Sequence, residues 1–214
     1  MLFAFEGPPA VGKTRWLHEF PGQQTLALDN EQAPPDPLTP ETAAARVEWS
    51  IERWQKLLAI EKRYGRAYAD TDPLGLYRTF SLTVMGEAPQ SAFEEAYQRA
   101  RAAMVEERLG FVEKVILLTA SPEKLSERDE ADETRERPDF ETRRMMGAPI
   151  EAYYNEVEML RPGSVHLASA ESEIRKTGVA FVYRLDPHNH PRYDVASFDA
   201  LKDALDLLIP ALTA

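Results

Sequence analysis

The chain has 214 residues, with 36 acidic against 25 basic side chains for a formal net charge of −11, and it contains no cysteine. That length predicts a single domain, 1–214, with room for a lid. The missing cysteines exclude disulfides and thiolate metal sites, and the acidic balance argues against nucleic-acid binding. The N-terminal apolar run is far too short for a signal peptide or a membrane span, so a cytoplasmic protein with no membrane partner is expected.

Leu2 to Phe5 predicts a first strand, central and buried if the sheet is parallel. Glu6 separates it from Gly7 to Thr14, GPPAVGKT, which fits the phosphate-binding pattern G-x-x-x-x-G-K-[ST] at every fixed position. The run Lys13 to Phe20 predicts the helix that this motif requires next. The glycines let the backbone bend so that N–H groups form an anion nest, and the helix start adds its dipole. Gly7, Pro8, Pro9, Ala10, Val11, Gly12, Lys13 and Thr14 are therefore the nucleotide-binding candidates. Lys13 would reach the outer phosphates, and the Thr14 hydroxyl would ligate Mg²⁺.

Gln24 to Leu28 predicts a second strand, ending in Asp29, Asn30 and Glu31, and a proline-rich loop follows. Thr39-Pro40-Glu41-Thr42 signals a helix start, and Val47, Ile51, Trp54, Leu57 and Leu58 carry the helical period to about Tyr64. Gly65-Arg66 breaks it, and Ala67 to Asp70 predicts a short third strand. Thr71-Asp72-Pro73 would cap a helix from Leu74 to about Val84, and Ser91 to Leu109 predicts a longer one. Lys114 to Thr119 is the cleanest buried strand, and Ser121-Pro122-Glu123 starts a further helix. Pro149 to Leu160 predicts a helix, Val165 to Ala168 a strand, and Ser197 to Leu208 an amphipathic terminal helix; Val179 to Leu185 reads as either strand or loop. Strands alternating with helices predict a three-layer α/β/α P-loop NTPase fold around a central parallel sheet. Ligands in such sheets bind outside the carboxyl ends of the strands. The phosphate loop, the acids Asp29 to Glu31 and the acids Asp70 to Asp72 all fall at those ends.

Mg²⁺ seeks carboxylate oxygen, so a strand-ending acid beside the loop is the expected partner of Thr14. Asp70 is the first candidate and Asp72, which can also cap a helix, the next. Lys114 to Thr119 ends without an acid, which disfavours a motor-type ATPase. Phosphorylating an alcohol needs an acceptor for the hydroxyl proton. Asp29 and Glu31 are candidates for that base, although the same residues read equally as a polar turn, and Asp70 could serve instead. The segment at about 127–146 predicts an Arg-rich lid, with Arg128, Arg135, Arg137, Arg143 and Arg144 interleaved with acids. Arg128 and Arg135 are assigned to the nucleotide and Arg137 to the transferring group. Trp49, Trp54, Tyr68, Tyr77 and Phe80 could stack on a base, but helical spacing favours core. His166, His188 and His190 make no convincing metal set, and His18 is expected to cover the sheet.

FAFEGPPAVGKT resembles the opening of the deoxynucleoside kinase and thymidylate kinase group of P-loop kinases. AYADTDPLGLY is similar to the group's third strand and following helix. SPEKLSER, RERPDFETRR and APIEAYYNEVEML are similar to its post-strand helix, arginine lid and lid-following helix. The resemblance spans about Leu2 to Leu160 and implies a parallel sheet of about five strands, ATP with Mg²⁺, and a small-molecule phosphoryl acceptor at the carboxyl edge. It departs from the group where the third-strand acid is typically followed by Arg, because Asp70 is followed by Thr71. The expectation is an ATP-dependent kinase for a nucleoside or nucleotide, with a homodimer allowed. Its rivals are a kinase for another alcohol, an ATPase or nucleotide switch acting on a protein partner, and a nucleotide binder without turnover.

Overall fold

Leu2–Glu6 (β1) is buried at all five positions, as a strand with helices on both faces must be. In the structure, a computed structural model, β1 is the middle strand of five. The structure describes residues 1–27, 33–132, 140–169 and 190–213. The other strands are Thr25–Leu26 (β2), Ala67–Asp70 (β3), Lys114–Thr119 (β4) and Val165–Ser169 (β5), in the order β2-β3-β1-β4-β5. Every pairing is parallel. The register sets Phe5 opposite Asp70 and Glu6 opposite Leu117, so the strand-ending acid lies beside the start of the phosphate loop.

Alternation along β1 divides the core. Leu2 and Ala4 face a large layer built from Pro40–Tyr64 (α2), Leu76–Val84 (α3), Gln90–Val105 (α4), Gly147–Leu160 (α7) and Val195–Thr213 (α8). Phe3 and Phe5 face a smaller layer from Lys13–Leu17 (α1), Pro122–Glu130 (α5) and Phe140–Met145 (α6). On that side Phe5 meets Trp16 and Phe20 at 5.9 and 5.6 Å between ring centroids, while Tyr68 stacks on Phe20 at 4.1 Å.

α2 starts and stops where its sequence says. Thr39 Oγ1 accepts from Thr42 N–H (3.3 Å), Thr42 Oγ1 accepts from Thr39 N–H (3.0 Å), and Pro40 occupies the first turn. Gly65, with φ 79°, ends the helix. Ser121 caps α5 by accepting from Lys124 N–H at 3.3 Å.

Two expectations need correction. Asp72 does not cap α3, which begins at Leu76 behind the left-handed Gly75 (φ 66°). His18 is exposed, and Trp16 and Leu17 cover the sheet instead. Trp54, Tyr68 and Phe80 are fully buried core residues, the reading favoured for them over stacking on a base. The ambiguous stretch Val179 to Leu185 lies outside the described residues.

Candidate active site

The phosphate loop is bent by its backbone. Gly7 has φ 135°, and a Cβ there would lie 2.3 Å from the Leu118 carbonyl oxygen, so β4 packs against the loop only because residue 7 has no side chain. Ala10 (φ 59°) and Gly12 (φ 103°) both adopt left-handed backbone, which turns neighbouring N–H groups to one side as an anion nest does. Holding Ala10 there costs about 1–2 kcal/mol. Pro8 and Pro9 have no N–H and Gly7 N–H donates to Glu6, so the loop amides left for a ligand begin at Ala10. Lys13 Nζ donates to the carbonyls of Gly7 (2.6 Å) and Pro8 (3.2 Å), which draws the ammonium across the loop.

Thr14 Oγ1 donates to Asp70 Oδ2 at 2.8 Å. A hydroxyl and a carboxylate, both hard oxygen donors, thus meet beside the loop as Mg²⁺ requires. Among the described residues no group of three or more His, Asp or Glu could hold a metal. The pair therefore fits an ion that takes its remaining ligands from phosphate and water.

Loop and pair line one cavity of about 1090 Å³. A stripe on α2, Arg46, Trp49, Ser50 and Arg53, spaced as one face of a helix, also lines it. The guanidiniums of Arg46 and Arg53 lie over the Trp49 ring at 5.6 and 4.9 Å. Tyr77 and Arg78 of α3 line the cavity as well. Of the five candidate aromatics, Trp49 and Tyr77 are the two that do so.

Two buried acids fix the strand ends. Glu6 is 1 % exposed; its Oε2 accepts from Asp72 N–H at 3.0 Å and its Oε1 from Gly7 N–H at 3.2 Å. Burial pushes Glu6 up to about 7 against the pull of nearby Lys13. Asp72 accepts from Leu74 N–H (3.1 Å) and from the Tyr154 hydroxyl of α7 (3.1 Å), and burial pushes it up to about 6. Glu6 thus joins the phosphate loop to the turn after β3, a role sequence reading missed. The signal was an acid ending an otherwise apolar buried strand.

The lid candidates separate. Arg128 of α5 donates to the Val11 carbonyl at 3.1 Å and lines the cavity. Arg143 of α6 also lines it, whereas Arg144 pairs with Glu141 at the surface. Arg135 and Arg137 lie outside the described residues, as do Asp29 and Glu31; Ala27, two residues before Asp29, lines the cavity. His188 is also outside them, and His166 on β5 and His190 beside the Pro162 carbonyl (3.3 Å) do not line the cavity.

By sequence the chain matches no family model and no curated protein. By structure it is similar to deoxyadenosine kinase from M. mycoides with bound dATP, at TM-score 0.61 and 17% identity over 86% of this chain and 97% of that one. It is also similar to NadR protein in complex with NR, at TM-score 0.56 and 14% identity over 96% of this chain and 51% of that one. The chain has a deoxynucleoside kinase-like P-loop fold.

Within that deoxynucleoside kinase-like frame, the position after the strand-ending acid carries Thr71, a β-branched residue at φ 75°. A side chain of that shape seldom adopts left-handed backbone, and strain of this kind concentrates at functional sites. Arg53 Nη2 donates to the carbonyls of Asp70 (2.5 Å) and Thr71 (3.4 Å). Arg53 is 4 % exposed, and its Nε has no hydrogen-bond partner among the described residues. A guanidinium from α2 thus stands at the end of β3.

Proposed function

We propose that the chain is an ATP-dependent phosphotransferase that moves the γ-phosphate to a small acceptor, a nucleoside or nucleotide. The observation that carries this reading is the Thr14–Asp70 pair, which joins the phosphate loop to the end of β3 inside one cavity. The loop amides from Ala10 onward and Lys13 hold the phosphates, the helix start at Lys13 favours their charge, and Arg128 closes on them from α5. Thr14 and Asp70 hold Mg²⁺, which neutralises charge on the phosphates when bound. Trp49 and Tyr77, which line the same cavity, give the acceptor aromatic surface. Where the acceptor offers a hydroxyl, Asp29 or Glu31, just beyond the cavity-lining Ala27, takes its proton. The chain acts as one domain, its lid segment at about 127–146 bringing Arg128, and with it Arg135 and Arg137, over the nucleotide. Enclosure by such a lid limits loss of the phosphate to water. Positioning and charge then supply the catalysis, with no covalent step on the protein.

The test is ADP formation from Mg·ATP with and without candidate acceptors. Stimulation by one acceptor, abolished in Asp70→Asn, supports the proposal. Equal ADP formation with every acceptor and with none would move the chain to the ATPase or switch class.

A further inference from the structure

The segment 33–38, just before α2, has no helix or strand of its own, and Pro34, Pro35 and Pro37 leave it few N–H donors. It is fastened through its acceptors instead. Arg46 of α2 donates from Nη2 to the Pro34 carbonyl (2.7 Å) and from Nε to the Pro35 carbonyl (3.4 Å). The two oxygens of Asp36 then serve different helices. Oδ1 accepts from Arg78 Nε of α3 at 2.8 Å, and from its Nη2 as well, with Arg46 Nη2 3.6 Å away. Oδ2 lies 3.6 Å from Nη2 of Arg143 on α6. All three arginines line the cavity that holds Lys13 and Thr14, whereas Asp36 is outside that lining.

Burial raises the Asp36 pKa, but the charge and hydrogen bonds of Arg78, then the charges of Arg143 and Arg46, bring it below the usual carboxylate range. Both oxygens are therefore acceptors at neutral pH. An amide in the same place would present one acceptor and one donor, so it could not serve both sides. A simple tether for the segment would need Oδ1 alone. The second oxygen reaches α6, a helix of six residues with one buried side chain, Phe140. So little apolar contact leaves the resting place of α6 sensitive to polar ties. The Asp36 side chain is 22 % exposed and Arg78 19 %, which puts this bridge above an ordinary surface pair.

Resting on the kinase reading above, we infer that Asp36 is a positioning residue. It latches α6, and with it Arg143, onto the cavity wall made by α2 and α3, keeping the γ-phosphate for the acceptor and away from water. With the latch cut, a water oxygen attacks the γ-phosphorus. The bond to the β–γ bridging oxygen breaks, its electron pair leaves on ADP, and the water gives up a proton to solvent as inorganic phosphate forms.

The first test is hydrogen exchange of the full, nucleotide-free chain, read by mass spectrometry on the stretch 140–146. Asp36→Asn is expected to speed exchange there about tenfold, while α2 stays as in wild type. Asp36→Glu, which keeps both acceptors, should restore most of the protection. In an Arg143→Met background, Asp36→Asn should add less than about twofold, because its route to α6 is already cut. The second test is inorganic phosphate release from Mg·ATP without acceptor, which should rise about tenfold in Asp36→Asn. Phosphate transfer to a mixture of nucleosides and their 5′-monophosphates is measured beside it. Unchanged exchange at 140–146 in folded Asp36→Asn overturns the inference, as does faster exchange with unchanged phosphate release. Transfer by the wild type with unchanged exchange in the variant overturns the latch and keeps the kinase. Faster exchange and faster phosphate release in the variant, with no transfer by the wild type, keep the latch and remove the kinase.

Discussion

Thr14 and Asp70 stand 56 residues apart in sequence and are joined by a hydroxyl–carboxylate hydrogen bond of 2.8 Å. The bond exists because β1 and β3 are neighbours with Phe5 opposite Asp70, and because the loop after β1 folds straight back into α1. Strand register, not local sequence, brings the two oxygens together.

Removing either oxygen should separate chemistry from folding. Thr14→Ala and Asp70→Asn are expected to lower Mg²⁺-dependent turnover about 100-fold or more, with melting temperatures within a few degrees of wild type. Lys13→Ala should weaken Mg·ATP binding roughly 10- to 100-fold. Calorimetry and steady-state kinetics read both effects, and full turnover in Asp70→Asn would remove that residue from the site.

Glu6 predicts a pH dependence of stability. Its carboxyl goes from 4.5 in an unfolded chain to about 7 in the fold, so between those values the folded state binds more protons. Stability therefore falls as pH rises from about 4.5 to about 7, and is flat from this group outside that window. The full effect is about 3 kcal/mol, at about 1.4 kcal/mol per pH unit. Asp72, raised from 3.8 to about 6, acts in the same direction over a lower window. Glu6→Gln should flatten the upper part of the curve in nucleotide-free protein. An unchanged slope of melting temperature from pH 5 to 8 in the variant would show that Glu6 is not its source.

Thr71 predicts a trade between stability and function. Its left-handed backbone (φ 75°) is one that glycine adopts without a steric cost. Thr71→Gly should raise stability by up to about 1 kcal/mol, which is about 2–4 °C for a chain of this size. Turnover should fall, because the turn that holds Asp70 loosens. A lower melting temperature would mean that the threonine side chain contributes more than its backbone costs.

Much of this arrangement is legible in the sequence, and the exceptions share a cause. The capping box of α2, the buried strands and the phosphate loop are local patterns, and each forms as its residues dictate. The role of Glu6 is not local: one of its two backbone partners, Asp72 N–H, is 66 residues away. Asp72 resembles a helix cap because proline follows it, yet Gly75 starts α3 and leaves Asp72 to be buried under Tyr154. The arginines around Asp36 come from three helices, so no window of sequence contains them. Arg46, Trp49, Ser50 and Arg53 share one face of α2, but only the packing of α2 on the sheet decides that this face lines the cavity.

Trp49 predicts acceptor affinity without donor affinity. Stacking against an aromatic side chain is worth about 1–3 kcal/mol per base. Trp49→Leu should raise the acceptor KM about tenfold or more and leave the KM for ATP unchanged. Equal changes in both would place Trp49 in the general packing of the cavity.

The most direct test of the central claim follows the fate of the γ-phosphate by phosphorus NMR. Mg·ATP is incubated with the protein and a mixture of nucleosides and nucleoside monophosphates. The account predicts a new phosphoester or phosphoanhydride resonance that grows in step with ADP, and its loss in Asp70→Asn. Inorganic phosphate as the sole product, formed at the same rate without the mixture, would contradict it.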